Sequence, residues 1–124
     1  MIIIIIIIII LMLAVNYTLE LSATGPVVLD STIAFTAQLL VSPNNTVPGG
    51  EFYYLWLNTA DHGHNHSVGN HRAVLHRTFD GQKVEAGEFL MTAIVFPRGK
   101  HGGRQGDILA FASTVFKLTS NCSV

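Results

Sequence analysis

The sequence predicts an all-β domain of the sandwich class. Between residues 16 and 120, apolar and polar side chains alternate along short segments, as they do in strands with one buried face. Glycine, proline and asparagine separate these segments at intervals of roughly ten residues, which is typical of a β-sandwich. No segment repeats its apolar residues at the helical period of about 3.6 between capping residues. We therefore expect two packed sheets and little helix.

Six segments have the strand pattern: residues 17–22, 32–39, 51–58, 71–79, 88–96 and 108–118. Turn-forming residues separate them, including Thr24-Gly25-Pro26, Asp80-Gly81 and Pro97. Residues 42–50, 60–70 and 98–106 are rich in polar residues, glycine or proline. We expect these three ranges to be exposed loops.

The segment 51–58 has apolar side chains on both faces. One face carries Phe52, Tyr54 and Trp56, and the other carries Tyr53, Leu55 and Leu57. A strand that is apolar on both faces is typically buried on both, so this pattern predicts a central strand. We expect the core to contain Phe35, Trp56, Phe89 and Ile94, with Trp56 packed between the two sheets.

The N-terminal segment 1–15 is apolar, with isoleucine from Ile2 to Ile10. It is shorter than the roughly 20 residues that span a membrane, and it resembles the apolar region of a signal peptide. No basic residue precedes the run and no clear cleavage motif lies near Ala14. A signal anchor, or a misplaced start in low-complexity DNA, is therefore an alternative. We expect the chain to enter the secretory pathway and to reside outside the cell or on the extracellular side of a membrane.

Four N-glycosylation sequons are distributed along the chain, with acceptors Asn16, Asn44, Asn65 and Asn121. Each has the pattern Asn-x-Ser/Thr without proline in the middle position. One such sequon is common by chance, but four behind an apolar leader predict a glycoprotein. Asn16 lies close to the expected cleavage site and Asn121 close to the chain end, so both are weaker acceptors.

Cys122 is the only cysteine. In a secreted chain, a single cysteine predicts a disulfide to another chain or domain, and the stability of this domain must then come from its core. We expect residues 16–120 to form one module of a larger membrane glycoprotein, and residues 121–124 to be the tail of a truncated chain. The membrane would be reached only through segment 1–15 or through a missing C-terminal anchor.

Three segments together resemble a PKD domain. Residues 24–39 look like its opening glycine-proline turn and strand, Phe52-Tyr53-Tyr54-Leu55-Trp56 is similar to its central strand, and residues 87–95 resemble the start of its penultimate strand. The resemblance covers residues 17–119. The domains that it resembles are extracellular parts of membrane glycoproteins, namely the premelanosome protein and glycoprotein NMB group and transmembrane protein 130. It implies a seven-stranded immunoglobulin-like (PKD-type) sandwich with a structural or adhesive role. The Asp-x-Gly-Asp-Gly motif of PKD domains is absent after Trp56, so a generic immunoglobulin-like domain is an alternative.

Histidines cluster at His62, His64 and His66. Alternating histidines place imidazoles on one side of an extended segment, and three imidazoles can hold zinc or copper. The acceptor Asn65 lies inside the cluster, where a glycan would crowd a metal. A secreted metal-binding module is therefore the alternative function, and a solvated loop is the simpler interpretation. Titration of these imidazoles near pH 6 is a further hypothesis.

Basic residues mark the loop that precedes the last strand: Arg98, Lys100 and Arg104. With four glycines among residues 98–106, they predict a long hairpin loop that can contact an anionic glycan. The net charge of the whole chain is −1, which gives no general attraction to nucleic acid.

No pattern of nucleophilic catalysis is present. Cys122 lies inside a sequon, no Gly-x-Ser-x-Gly motif occurs, and the carboxylates stand singly near turns. We expect a non-enzymatic domain without a cofactor. Its expected partners are other extracellular glycoproteins or a second copy of itself. A small hydrolase is a further alternative, and it would require a deep polar pocket around paired carboxylates.

Overall fold

The computed structural model describes residues 16–60 and 71–120, which form a sandwich of two β-sheets. The strands are β1 (Tyr17–Ala23), β2 (Val27–Val28), β3 (Thr32–Val41), β4 (Phe52–Asn58), β5 (Val74–Thr78), β6 (Gly87–Pro97) and β7 (Ala110–Thr119). One sheet has the order β1-β3-β5 and the other β2-β7-β6-β4. This seven-stranded, immunoglobulin-like arrangement confirms the predicted fold class. Within the two described ranges no helix is long and apolar enough to cross a membrane.

The strand β2 is the element that the sequence pattern did not reveal. It has two residues and pairs parallel to the end of β7, with Val27 opposite Leu118. All other pairings are antiparallel. Two residues are too few to show an alternation, because a period of two needs several repeats to stand out.

The strand β5 begins at Val74, three residues later than the expected segment 71–79. Residues 71–73 instead connect the two sheets through their carbonyl groups. The His71 carbonyl accepts a hydrogen bond from the Tyr54 amide at 3.1 Å, and the Ala73 carbonyl accepts one from the Ala37 amide at 2.8 Å. The backbone turns at His71, where φ is 58°.

The position of β4 differs from the expectation. Among the described strands it lies at the edge of the four-stranded sheet, with β6 as its only paired neighbour. Its Trp56 side packs in the core, whereas its Leu55 and Leu57 side faces away from the other sheet and stays partly exposed. The segment is apolar on both faces because its outer face continues an apolar surface, and not because both faces are covered.

Aromatic side chains fill the centre of the sandwich. The Phe35 ring is 1% exposed and meets three other rings edge-on, at centroid distances of 5.1 Å to Phe116, 6.3 Å to Phe89 and 6.4 Å to Phe79. Trp56 has no exposed surface, and its Nε1 donates a hydrogen bond to the Arg72 carbonyl at 2.8 Å. The buried indole N–H is thus satisfied, as a polar group in a core must be.

One of the four expected core residues lies outside the core. Phe35, Trp56 and Phe89 are buried, but Ile94 is only partly buried. Its two neighbours on β6, Ala93 and Val95, are both fully buried, and successive side chains of a strand point to opposite faces. Ile94 therefore lies on the outer face of the four-stranded sheet.

Candidate protein-interaction surface

The outer face of the four-stranded sheet is apolar across three strands. The side chains that alternate with the core-facing residues of β4, β6 and β7 define a surface that we call the apolar face: Leu55, Leu57, Leu90, Ile94, Phe111 and Val115. Strand register aligns them in rows, with Leu55, Ile94 and Phe111 in one row and Leu90 beside Val115 in another. The row between them contains Leu57, which joins the two apolar rows on β4, beside the polar Thr92 and Ser113.

The residues of β7 make this surface strongly exposed. Phe111 is 70% exposed, Val115 59% and Leu90 on β6 38%. Single exposed apolar side chains are ordinary on protein surfaces, whereas contiguous exposed groups are typical of interaction sites. Ile108, exposed just before β7, extends the apolar character toward the β6–β7 hairpin.

A pair of hydroxyl groups lies in the middle of the apolar face. Thr92 and Ser113 are opposite each other on β6 and β7, and their side-chain oxygens are 2.7 Å apart. Each hydroxyl thus has a partner within the sheet. Covering this position with another surface would break no hydrogen bond between the two groups, although one of the two O–H donors would then need an acceptor on that surface.

Basic and aromatic residues border the hairpin end of the face. The guanidinium of Arg104 lies over the Phe96 ring at 5.3 Å, and that of Arg98 lies over the Tyr53 ring at 5.7 Å. The Arg98 guanidinium also donates three hydrogen bonds to backbone carbonyls, at 3.1 Å to Phe52, 3.0 Å to Gly102 and 2.8 Å to His71. Arg98 therefore holds the hairpin in place, while Lys100 and Arg104 are exposed.

The outer face of the three-stranded sheet has the opposite character. Its cross-strand pairs include Glu20 with Gln38 and Thr32 with Thr78, whose hydroxyl oxygens are 2.7 Å apart. This polar face is what a solvated sheet requires. The contrast between the two outer faces shows that the apolar face is a local property of the four-stranded sheet.

Two of the four expected glycan acceptors lie within the described residues. Asn16 and Asn44 are both exposed, and both lie at the end of the sandwich where β1 begins and β3 ends. The Ser42 amide donates to the Asn16 carbonyl at 2.9 Å, which ties the two segments together. Asn65 and Asn121 lie outside the described residues. No sequon falls within β4, β6 or β7.

The expected metal ligands His62, His64 and His66 lie outside the described residues, as does Cys122. Of the nearby histidines, His71 stacks on Tyr53 at 4.4 Å and His76 is exposed on β5. Across residues 16–60 and 71–120, no three histidine, cysteine or acidic side chains are grouped so that they could hold a metal ion.

A cavity of about 690 Å³ lies between the β5–β6 loop and the end of β4. Glu85 and Glu88 line it, and both are exposed to solvent. Carboxylates that act as general acids are typically withdrawn from water, so this cavity supports no catalytic proposal.

Comparison of the chain with protein-family models, with curated proteins and with solved structures found no match. The apolar face is therefore the feature on which a functional proposal can be built.

The sequence pattern did not identify this surface, although it showed that the segment 51–58 is apolar on its outer side. Thr92, the only polar side chain between Phe89 and Phe96, was the available signal, because a polar residue in an apolar strand marks its solvent side.

Proposed function

We propose that this domain is a non-enzymatic module of an extracellular glycoprotein, of the PKD or immunoglobulin-like kind, and that it binds another protein. The apolar face is the observation that carries the proposal. Phe111 and Val115 expose more than half of their surface to water. Covering apolar area with a partner would stabilise the complex by about 25 cal/mol for each Å² removed from water. A binding role explains why a small domain would keep such a surface.

The composition of the surface supports contact with a protein. Aromatic and aliphatic side chains lie on both sides of the Thr92–Ser113 pair, while charged residues such as Glu88, Lys117 and Arg104 lie around them. A largely apolar patch with a polar border is the usual anatomy of a protein–protein interface. A flat sheet face also offers no deep pocket of the kind that small ligands occupy.

The sequons bear on which parts of the apolar face stay open. Glycans are bulky and hydrated, so they keep other macromolecules away from the surface that carries them. Asn44 lies on the β3–β4 connection, whereas Asn16 immediately precedes β1, whose first residues line a groove together with Ile108 and Phe111. A glycan at Asn16 would therefore border the Phe111 end of the face, while no sequon lies on β4, β6 or β7 themselves.

The first test is expression of the whole chain in a eukaryotic cell and measurement of the mass of the secreted protein before and after glycosidase treatment. We expect secretion and a loss of mass on treatment. Retention in the cytosol, or an unchanged mass, would contradict the extracellular proposal.

The second test addresses the face itself. Beads coated with the secreted protein should bind to an array of extracellular proteins that includes the protein itself, and Phe111→Lys should abolish that binding. Gln38→Lys is the matched control, because Gln38 is exposed on the polar face of the three-stranded sheet. Equal binding by the Phe111→Lys variant and the wild type would refute a role for the face.

A further inference from the structure

The apolar face is complementary to a second copy of the same face. We propose that its occupant is the same face of a second copy of this chain, related by a two-fold axis that lies between the sheets and runs across the strands. This inference rests on the proposed function and names the partner. Two flat sheet faces pack readily on each other at about 10 Å, with strand directions within roughly 30°.

Charge at the two ends of the face selects this orientation. Residues 98–107 carry Arg98, Lys100 and Arg104 against Asp107, a net charge of +2. Residues 80–88 carry Asp80, Glu85 and Glu88 against Lys83, a net charge of −2, which Lys117 opposite Glu88 reduces to −1.

These two groups lie at opposite ends of β6, a strand of 11 residues, and so are roughly 35 Å apart at the rise of an extended chain. A two-fold axis along the strands would place like charges together. An axis across the strands places the basic end of each copy over the acidic end of the other, and such complementarity sets orientation more than affinity.

The rows of the face match under this operation. Thr92 and Ser113 form the central row, with Leu57 beside Thr92 on β4. Rotation about an axis through this row brings Phe111 of one copy onto Val115 of the other, and Ile94 onto Leu90. Each contact occurs twice, as a two-fold interface requires. The hydroxyls near the axis are hydrogen-bonded to each other, so burial there breaks no bond between them.

The extent of the face predicts a weak, reversible dimer. Three strands span about 14 Å, and the face together with its charged ends, from Glu88 to Arg98, extends over about 33 Å along β6. Two such faces together bury on the order of 1,000 Å², at the low end for specific interfaces. We therefore expect a dissociation constant on the order of 1–100 µM, in the range that suits contact between many copies on a surface.

The test is sedimentation of the secreted, glycosylated protein over a concentration series from about 1 to about 300 µM, the range that spans this dissociation constant. We expect a monomer–dimer equilibrium. Phe111→Lys should raise the dissociation constant more than tenfold, because it buries a charge at each of the two Phe111–Val115 contacts of the interface. Gln38→Lys should leave it unchanged, and the fluorescence of Trp56 checks that each variant is folded.

Charge reversal tests the direction of the axis. Glu88→Lys and Arg104→Glu should each weaken the dimer several-fold, and the chain that carries both changes should regain most of the affinity. A monomer at the highest concentration, or a dimer that Phe111→Lys does not weaken, would overturn the proposal. A dimer without rescue in the doubly reversed chain would overturn the two-fold arrangement.

The outcome is separable from that of the proposed function. If the wild type stays monomeric while Phe111→Lys still abolishes binding of the beads to other extracellular proteins, only the choice of a second copy fails. If Phe111→Lys affects neither measurement, both proposals fail.

Discussion

Replacing phenylalanine by leucine at two positions tests directly which face of each strand is buried. Phe35 lies in the core among three aromatic rings, whereas Phe111 is the most exposed large apolar residue of the apolar face. The two substitutions are chemically identical. Their effects on the free energy of unfolding should differ because only one of the two rings is buried.

The magnitude follows from the contacts of Phe35. Edge-to-face aromatic pairs contribute about 0.5–1.5 kcal/mol each beyond buried area, and leucine recovers part of the packing, so losing three pairs costs about 2 kcal/mol. The smaller side chain also leaves a void of roughly 20 Å³, which adds about 0.5 kcal/mol. We expect Phe35→Leu to lower the free energy of unfolding by about 2–3 kcal/mol, and Phe111→Leu to change it by less than about 0.5 kcal/mol.

Urea unfolding followed by tryptophan fluorescence measures both values. Trp56 is the only tryptophan and is fully buried, so its emission reports the core. With a slope of about 1.5 kcal/mol per molar urea, Phe35→Leu should lower the unfolding midpoint by roughly 1.3–2 M. The protein should be kept dilute, so that dimerisation adds nothing to the stability. Equal midpoints for the two variants would refute the assignment of core and outer faces.

Three further predictions concern a turn, a buried phenol and a glycan. An added Cβ on Gly81 would lie 2.9 Å from Oδ2 of Asp30, and Oδ1 of the same carboxylate accepts a hydrogen bond from the Gly81 amide at 2.9 Å. Gly81→Ala should therefore lower the free energy of unfolding by about 1–2 kcal/mol. If the same loss is measured when Asp30 is also replaced by alanine, this clash is not its cause. Burial raises the pKa of the Tyr54 phenol above its ordinary value of 10.0, so the neutral form is favoured in the folded protein. This phenol should therefore leave stability unchanged through neutral pH and lower it as pH rises beyond 10, where the unfolded chain loses this proton first. Thermal unfolding of Tyr54→Phe should show a shallower alkaline decline, and an identical decline would contradict the assignment. Asn44 is exposed in the β3–β4 connection, so Asn44→Gln should reduce the mass of the secreted protein by one glycan, and an unchanged mass would show that the site is not used.

The fold class and six of the seven strands could be predicted because period-two alternation and turn residues are local properties of the sequence. The strand β2 could not, since its pairing with β7 joins residues about 90 positions apart through only two residues. Which residues pair over such a distance depends on the packing of the whole sandwich, and no local pattern carries that information.

The sequence only partly predicted which side chains of β6 point into the core. From Phe89 to Phe96 nearly every residue is apolar, so hydrophobicity alone does not say which alternate set is buried. That ambiguity placed Ile94 in the core with Phe89, although the two differ in facing. The same ambiguity concealed the apolar face, because an apolar residue that is exposed and one that is buried look alike in a sequence.

Arg98 also has a consequence for the kinetics of unfolding. Its guanidinium joins the beginning of β4, the segment before β5 and the β6–β7 hairpin, and two of these contacts are 46 and 27 residues apart in the chain. Such a group can form only after β4 and β6 have paired, so it belongs to the late part of folding. We expect Arg98→Ala to accelerate unfolding and to leave the folding rate almost unchanged. The lifetime of the folded domain thus depends on a residue that contributes little to reaching the fold.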